Sequence, residues 1–406
     1  MKIVQINSTC GYGSIGKICQ AISELLTNQC IENYILYSRS TNGYDKAIKY
    51  SKYATAKISS LKSRIYGNYG FNSKSDTIAL IKKLEEINPN IVHIHNIHSH
   101  DCHLGYLFSY LREKQVKVYF TFHDCWAFTG YCPYFDVVGC KKWQRECYEC
   151  PLWHRYSWFI DRSNVNFLKK KDAFRDLNLT IITPSKWLAN LVKQSFFGQY
   201  GYSVKVINNG INLNIFRPRK SELRAKWNLG DKKVILGVSL GWETRKGIET
   251  FIRLSKELSS NFQIILVGTN KRIDKTLPAN IFSIHKTNNQ EELAEIYSMA
   301  DVFVNPTMEE NFPTTNIEAL ACGTPVITYD TGGSGEMVNG QCGLVIPKGE
   351  YNLLVEAIRK MPSFKSEDCL KQAQHYNQED KYYQYYQEYM SAINKIDIVQ
   401  NKKRDK

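Results

Sequence analysis

The 406-residue sequence has no run approaching 18 uninterrupted apolar residues, so no segment of it reads as a membrane-crossing helix. Its start, MKIVQINSTC, has one lysine and lacks the apolar stretch of a secretory leader. A cytoplasmic protein is therefore expected, with its twelve cysteines mostly reduced. No repeat of fixed short period is present. Acid is missing between Lys46 and Lys74, where seven Lys/Arg alternate with Ile58, Leu61, Ile65, Tyr66, Tyr69 and Phe71.

What is there begins with charge. The chain carries 53 basic against 39 acidic residues, a net +14 that favours an anionic partner. A second basic and aromatic stretch spans Lys141 to Arg175 and includes Trp143, Trp153, Trp158 and Phe159. Such stretches suit nucleic acid or an anionic lipid surface, or are simply solvated faces.

Short β-branched runs alternate with helical patterns almost throughout. Lys2–Ile6, Tyr34–Tyr37, Ile91–Ile94, Val116–Phe122, Thr180–Ile182 and Val204–Ile207 read as strands, separated by helices over 15–26, 77–87, 104–112 and 186–196. NNGINLNIFRPRK, 208–220, is rich in turn residues and reads as a linker. The alternation then restarts, with strands at 234–240, 263–267, 281–284, 302–305, 326–328 and 344–346 and helices at 248–258, 293–299, 315–321 and 351–360. The expectation is α/β, with two doubly wound, Rossmann-like domains facing across a cleft: 1–207 and 221–378, then a tyrosine-rich C-terminal helix and tail at 379–406 that packs back. Ligands of such sheets bind beyond the strands' carboxyl ends.

Several motifs fall there. In EENFPTTNIEALACGTPV, Glu310 and Glu318 flank a Pro-Thr-Thr turn; Thr314 or Thr315 is expected to cap a helix running to Gly323. Its first-turn N–H groups, Thr314 to Asn316, form an anion site, with Glu318 near a sugar or ribose hydroxyl. Alternatively Glu318 only complements the helix dipole. CGYGSIGKI, after the first strand, is a glycine loop with Gly11, Gly13 and Gly16, but no acid follows the second strand, which speaks against NAD. SLGWETRKG puts Arg245 and Lys246 where a cation reaches a diphosphate.

Five of nine histidines lie between 93 and 103, and His123 follows the next strand. Their alternation along one strand and its loop favours structural or substrate-binding roles over metal. Cys132, Cys140, Cys147 and Cys150 fall within a nineteen-residue loop, a set compatible with structural Zn²⁺, with four reduced thiols or with a disulfide. As zinc ligands they would order a loop with little core of its own.

Together these motifs resemble family 4 of the retaining glycosyltransferases. The resemblance rests on the E-x7-E of Glu310 and Glu318 with EALACGTPVI after it, on RKG at 245–247, on His123, and on the glycine loop and the NNGIN–F–P segment. HDCWAFTGYCPYFDVVGC is more loosely similar to a subgroup of colanic-acid type that builds bacterial surface polysaccharides. The resemblance implies a GT-B fold and a metal-independent hexosyltransferase using a UDP- or GDP-sugar, in keeping with a chain that has no D-x-D. It implies that Glu318 holds the donor's ribose, that Glu310 and His123 contact its sugar, and that Lys246, the Thr314–Asn316 amides and Gly13 hold phosphate. The acceptor would be a glycan or O-antigen unit on a polyprenyl diphosphate, at the inner face of the plasma membrane, with no nucleic acid involved. One departure is Leu240, where the family often has an arginine; Arg245 is the expected substitute. The rivals are a nucleotide-sugar epimerase of the same fold, an NAD-dependent oxidoreductase and a nucleic-acid-binding protein.

Overall fold

The computed structural model describes residues 1–98 and 100–404, with side chains for all of these except Tyr53 and 395–404. The chain divides into two units, Met1–Ile207 with Tyr382 onward, and Asn208–Lys381.

The first unit is built on strands β1 (Lys2–Cys10), β2 (Glu32–Thr41), β3 (Ala47–Lys49), β4 (Ile91–Ile94), β5 (Lys117–Thr121), β6 (Leu179–Thr183) and β7 (Ser203–Val206). They form a seven-stranded sheet in the order β3-β2-β1-β4-β5-β6-β7, every pairing parallel. Order reverses between β1 and β4, the switch point of a Rossmann-like sheet. Strand side chains alternate between faces, and the apolar clusters divide accordingly. Val4, Ile6, Val92, Ile94, Val118 and Phe120 belong to one cluster, and Ile3, Ile91, Tyr119 and Ile182 to the other. Burial on both faces explains why β4, IVHI, reads as a continuous run and is buried at every residue.

The second unit repeats the plan with β8 (Lys233–Val238), β9 (Phe262–Val267), β10 (Ile281–Ile284), β11 (Val302–Asn305), β12 (Val326–Asp330) and β13 (Gly343–Pro347), ordered β10-β9-β8-β11-β12-β13 and all parallel. Val234, Leu236, Ile265 and Phe303 face one cluster, while Ile235, Ile264, Val302 and Val304 face the other.

Two segments outside the sheets take their places in these units, the second of them packing back as expected. Residues 208–220 are folded into the second unit. Ile211 donates its N–H to the Tyr376 carbonyl at 2.9 Å and accepts from Gln378 N at 2.9 Å, and Phe216 is buried in that unit's core. An Asn-Gly and one proline, Pro218, predict irregular backbone, but Ile211 and Phe216 still bury apolar surface. The last helix, Gln378–Arg404, belongs from Tyr382 onward to the first unit. Tyr382, Tyr385 and Tyr389 pack there against Ile3, Ile18 and Ile22.

That helix also closes polar bonds. The Tyr389 hydroxyl is 2.6 Å from His93 Nδ1, Tyr119 donates to the Glu388 carbonyl at 2.7 Å, and Lys205 Nζ lies 2.6 Å from the Glu388 carboxylate. Tyr389→Phe should cost about 1–3 kcal/mol, because it strands a buried imidazole nitrogen. Tyr389→Ala should cost about 3–5 kcal/mol through the added cavity. Denaturant unfolding of the full chain checks both; an unchanged Phe variant would mean that the hydrogen bond contributes nothing.

Candidate functional site

In the second unit the loops leaving β8, β11 and β12 meet at the sheet's carboxyl edge. The β8 loop ends in a single turn, Thr244–Lys246, stopped by Gly247 at φ +77°. A Cβ on Gly247 would stand 2.4 Å from the Pro306 carbonyl oxygen, so only glycine lets this turn lie on the exit of β11. The turn is then sewn down. The Arg245 carbonyl accepts from Met308 N at 2.8 Å and Thr307 Oγ1 at 3.1 Å, and the Arg245 guanidinium donates to the Glu309 carbonyl at 3.1 Å. These bonds put Lys246 Nζ 2.5 Å from Glu310 Oε2, both side chains mostly buried. The other Glu310 oxygen accepts from Asn311 N at 3.0 Å.

The helix after this loop, Thr314–Ala321, departs from expectation at its start. Pro313 is the cap residue and no side chain caps it, so neither Thr314 nor Thr315 plays that part. Proline's fixed φ sets up the first turn without a side-chain acceptor. Thr314 and Thr315 head the helix, where N–H groups lie outside its hydrogen-bond ladder. Asn316 N instead donates to the Pro313 carbonyl at 3.2 Å, and its buried side chain bridges Asn305 Nδ2 (2.7 Å) and the Ser334 carbonyl (3.2 Å). Glu318 is the helix's fifth residue, in the second turn, and accepts from the Tyr297 hydroxyl at 3.1 Å. Burial and then the Glu318 charge push that phenol well above its ordinary pKa, so it remains a donor.

Leu240 is 98% exposed. Arg245 pairs with Glu243 at 3.0 Å besides its bond to the Glu309 carbonyl, which makes it a clamp between loops.

Sequence reasoning passed over the loop after β12. Gly332, at φ +59°, approaches so closely that a Cβ would stand 1.8 Å from the Glu310 carbonyl oxygen, and Gly333 N donates to Asn311 O at 2.7 Å. The available signal was Gly-Gly directly after a strand, in TGGSGE. Tyr297, the partner of Glu318, carried no signal of its own.

In the first unit the helix Gly13–Asn28 starts on Gly13, at φ +67° with open space around its Cα. His93, His95 and His123 join a buried network. His95 stands 3.2 Å from His123 Nε2 and 3.2 Å from Gln5 Oε1, Gln5 donates to the Cys19 carbonyl at 2.9 Å, and His93 Nε2 meets Thr121 Oγ1 at 2.8 Å. Burial lowers the pKa of His93 to about 3 and of His123 to about 4, so both are neutral near pH 7. His98 Nε2 lies 2.9 Å from Asp124 Oδ2, and Trp126 N donates to Asp124 Oδ1 at 2.8 Å. Burial pushes the Asp124 carboxyl up, but these partners outweigh it and leave it below its usual value.

The four cysteines line one small cavity of about 20 Å³. Cys132 and Cys150 sulfurs are 3.9 Å apart, and Gly130 N donates to Cys147 Sγ at 3.3 Å. Their loop has more core than expected: Trp126, Phe128, Tyr131, Phe135 and Trp143 are all buried in the first unit.

Residues 219–379 match the family described as glycosyl transferases group 1. The chain carries a group 1 glycosyltransferase domain. That domain holds Lys246, Glu310 and Glu318. Over 88% of the chain and 90% of the relative, the sequence is 22% identical to the putative colanic acid biosynthesis glycosyl transferase WcaC of Escherichia coli. A GDP-mannose-dependent alpha-mannosyltransferase of Mycobacterium tuberculosis is 31% identical over 35% of this chain and 38% of its own length. The fold is that of sucrose-phosphate synthase from Thermosynechococcus elongatus, with TM-score 0.72 and 20% identity over 97% of this chain and 99% of that one. It is also that of Anabaena HepE in complex with UDP, with TM-score 0.69 and 14% identity over 96% and 100%. The two units are thus Rossmann-like domains of the GT-B kind.

The buried histidines give the chain a signed pH dependence. Folded His93, His100 and His123 refuse protons that the unfolded chain accepts from about pH 6.5 downward. Stability should therefore fall as pH drops from 7 toward 4, by up to about 1.4 kcal/mol per pH unit for each proton of difference. Denaturant midpoints at pH 7, 6 and 5 test this, and His123→Asn should flatten the slope. Equal midpoints would contradict it.

Proposed function

We propose that the glycosyltransferase moves a sugar from a UDP- or GDP-sugar to a glycan or polyprenyl-diphosphate-linked acceptor during polysaccharide synthesis, with retention at the anomeric carbon. The observation that carries this reading is the Lys246–Glu310 pair held beside the start of the Thr314–Ala321 helix. A diphosphate arriving there offers Lys246 a doubly charged partner and releases Glu310 to accept from sugar hydroxyls. As the diphosphate leaves, its growing charge falls on the Lys246 ammonium and the Thr314 and Thr315 amides, a preorganised set that assigns no metal to the step. Glu318, steadied by Tyr297, takes the ribose hydroxyls. The anomeric carbon becomes oxocarbenium-like, the acceptor hydroxyl attacks from the leaving-group face, and a phosphate oxygen takes its proton. Neutral His123 serves as a hydrogen-bonding group for the sugar. WcaC's name and HepE's bound UDP support the polysaccharide and nucleotide parts of this reading. The epimerase, oxidoreductase and nucleic-acid readings gain no such support.

Calorimetric titration with UDP, GDP, ADP and NAD is the direct test. One nucleoside diphosphate should bind saturably, and Lys246→Ala or Glu318→Ala should weaken it roughly 10- to 150-fold, the worth of a charged hydrogen bond. Glu318→Gln separates lost charge from a stranded Tyr297. Binding of NAD alone, or of none, would sink the proposal.

A lipid-linked acceptor also calls for a membrane-facing surface. No helix among the described residues is long and apolar enough to cross a membrane. Instead the helix Tyr53–Tyr66 exposes Ile58, Leu61 and Tyr66, and Trp158, Phe159 and Ile160 are exposed as well. The two segments are tied by the Trp158 N–H to Arg64 carbonyl bond at 2.7 Å. The surface joins apolar anchors to Lys62 and Arg155, each cation worth about 1 kcal/mol on anionic lipid. The protein should float with phosphatidylglycerol liposomes at low salt, and Trp158→Ser with Phe159→Ser should return it to the soluble fraction. Equal flotation of wild type and variant would reject this surface.

A further inference from the structure

We propose that Cys132, Cys140, Cys147 and Cys150 form a structural, tetrahedral zinc site that fixes the 122–162 loop of the first unit. Three observations converge. All four side chains line the same cavity of about 20 Å³, large enough for an ion and too small for an organic ligand. The Cys132–Cys150 sulfur separation of 3.9 Å matches one edge of a thiolate tetrahedron, since Zn–S bonds of about 2.3 Å put sulfurs about 3.8 Å apart. Gly130 N donates to Cys147 Sγ at 3.3 Å, so a backbone amide stands beside the cluster to share a thiolate's charge.

Charge completes the set. Lys170 is fully buried, and its ammonium donates to the carbonyls of Trp126 (2.7 Å) and Thr129 (3.0 Å), both on the same loop. These carbonyls and the face of the Trp126 ring, 3.7 Å from Nζ at its centroid, compensate a buried cation less well than an anion does. Zinc with four thiolates carries a net charge of −2, and Lys170 is the cation that offsets it. Binding releases the thiol protons to solvent, with no change of oxidation state.

Among the described residues no group of three or more His, Cys, Asp or Glu already stands at ligand spacing. The site therefore requires the half-buried Cys140 and Cys147 to rotate onto the Cys132–Cys150 edge. The loop's make-up explains the need. Residues 122–162 contain only three single-turn helices, Trp126–Phe128, Lys142–Gln144 and Trp153–Arg155. Their aromatic side chains anchor the loop to the core, but its outer segments have no ladder to hold them. Asp124 and Trp126, beside His123, sit at its root.

Metal analysis of the untagged full-length protein, purified without added chelator, should find about one zinc per chain. A mercurial should release that zinc as it caps four thiolates as mercaptides, and cobalt replacement should give the intense thiolate-to-metal absorption of a tetrahedral site. Cys140→Ser with Cys147→Ser should lose the zinc, whereas Cys30→Ser, at an exposed cysteine outside the cluster, should keep it. The count on the wild-type chain stands whether or not the double variant folds. A folded wild-type protein that stays free of zinc after dialysis against it would overturn the proposal. So would a Cys132–Cys150 disulfide in the mass spectrum, or zinc retained by the double variant.

Discussion

The Lys246–Glu310 pair of the second unit depends on one close approach: the Arg245–Gly247 turn lying against the exit of β11. Gly247 allows it, and the Met308, Thr307 and Glu309 bonds to Arg245 hold it. Without that seam Lys246 would be a solvated lysine on a surface turn, screened and mobile. With it, the ammonium sits in a mostly buried pair with Glu310, where electrostatics are stronger and the side chain has already lost its rotamer freedom. Gly332 repeats the device from the other side, bringing the β12 loop onto the Glu310 carbonyl. A carboxylate and an ammonium are thus fixed by backbone packing before any ligand arrives.

Much of this was legible in the sequence. Ile91–Ile94 and Val302–Asn305 read off as strands with the bounds the structure gives them, because buried parallel strands are short apolar runs, and the edge strand Ile281–Ile284 matches as well. β3, Ala47–Lys49, is too short for any period to show. The helix Tyr53–Tyr66 was hidden by its basic, weakly amphipathic face, and Ser163–Ala173 by Lys170, a charged residue at a core position. E-x7-E and RKG stood out because they fall in the segments that follow β11 and β8. Of their partners, the TGGSGE loop had a signal in its Gly-Gly after a strand, whereas Tyr297 comes from another element and had none. The threonine cap failed because a proline before a helix removes the need for one.

The first unit shows the opposite economy. Its polar groups, Gln5, His93, His95 and His123, lie within an apolar sheet and are satisfied by one another. Such a network fixes ring orientations and holds the imidazoles neutral, at the expense of tolerance to acid.

Tyr389 reaches His93 across 296 positions of sequence. During synthesis β1 through β7 leave the ribosome long before the tyrosines that cover them, and the whole second unit is made in between. The first unit must wait, with Ile3, Ile22 and His93 uncovered, while the second is already able to fold. Order of emergence and order of completion are thus reversed: the half made first is the half finished last, and a stall before residue 382 leaves a sticky sheet for chaperones to guard.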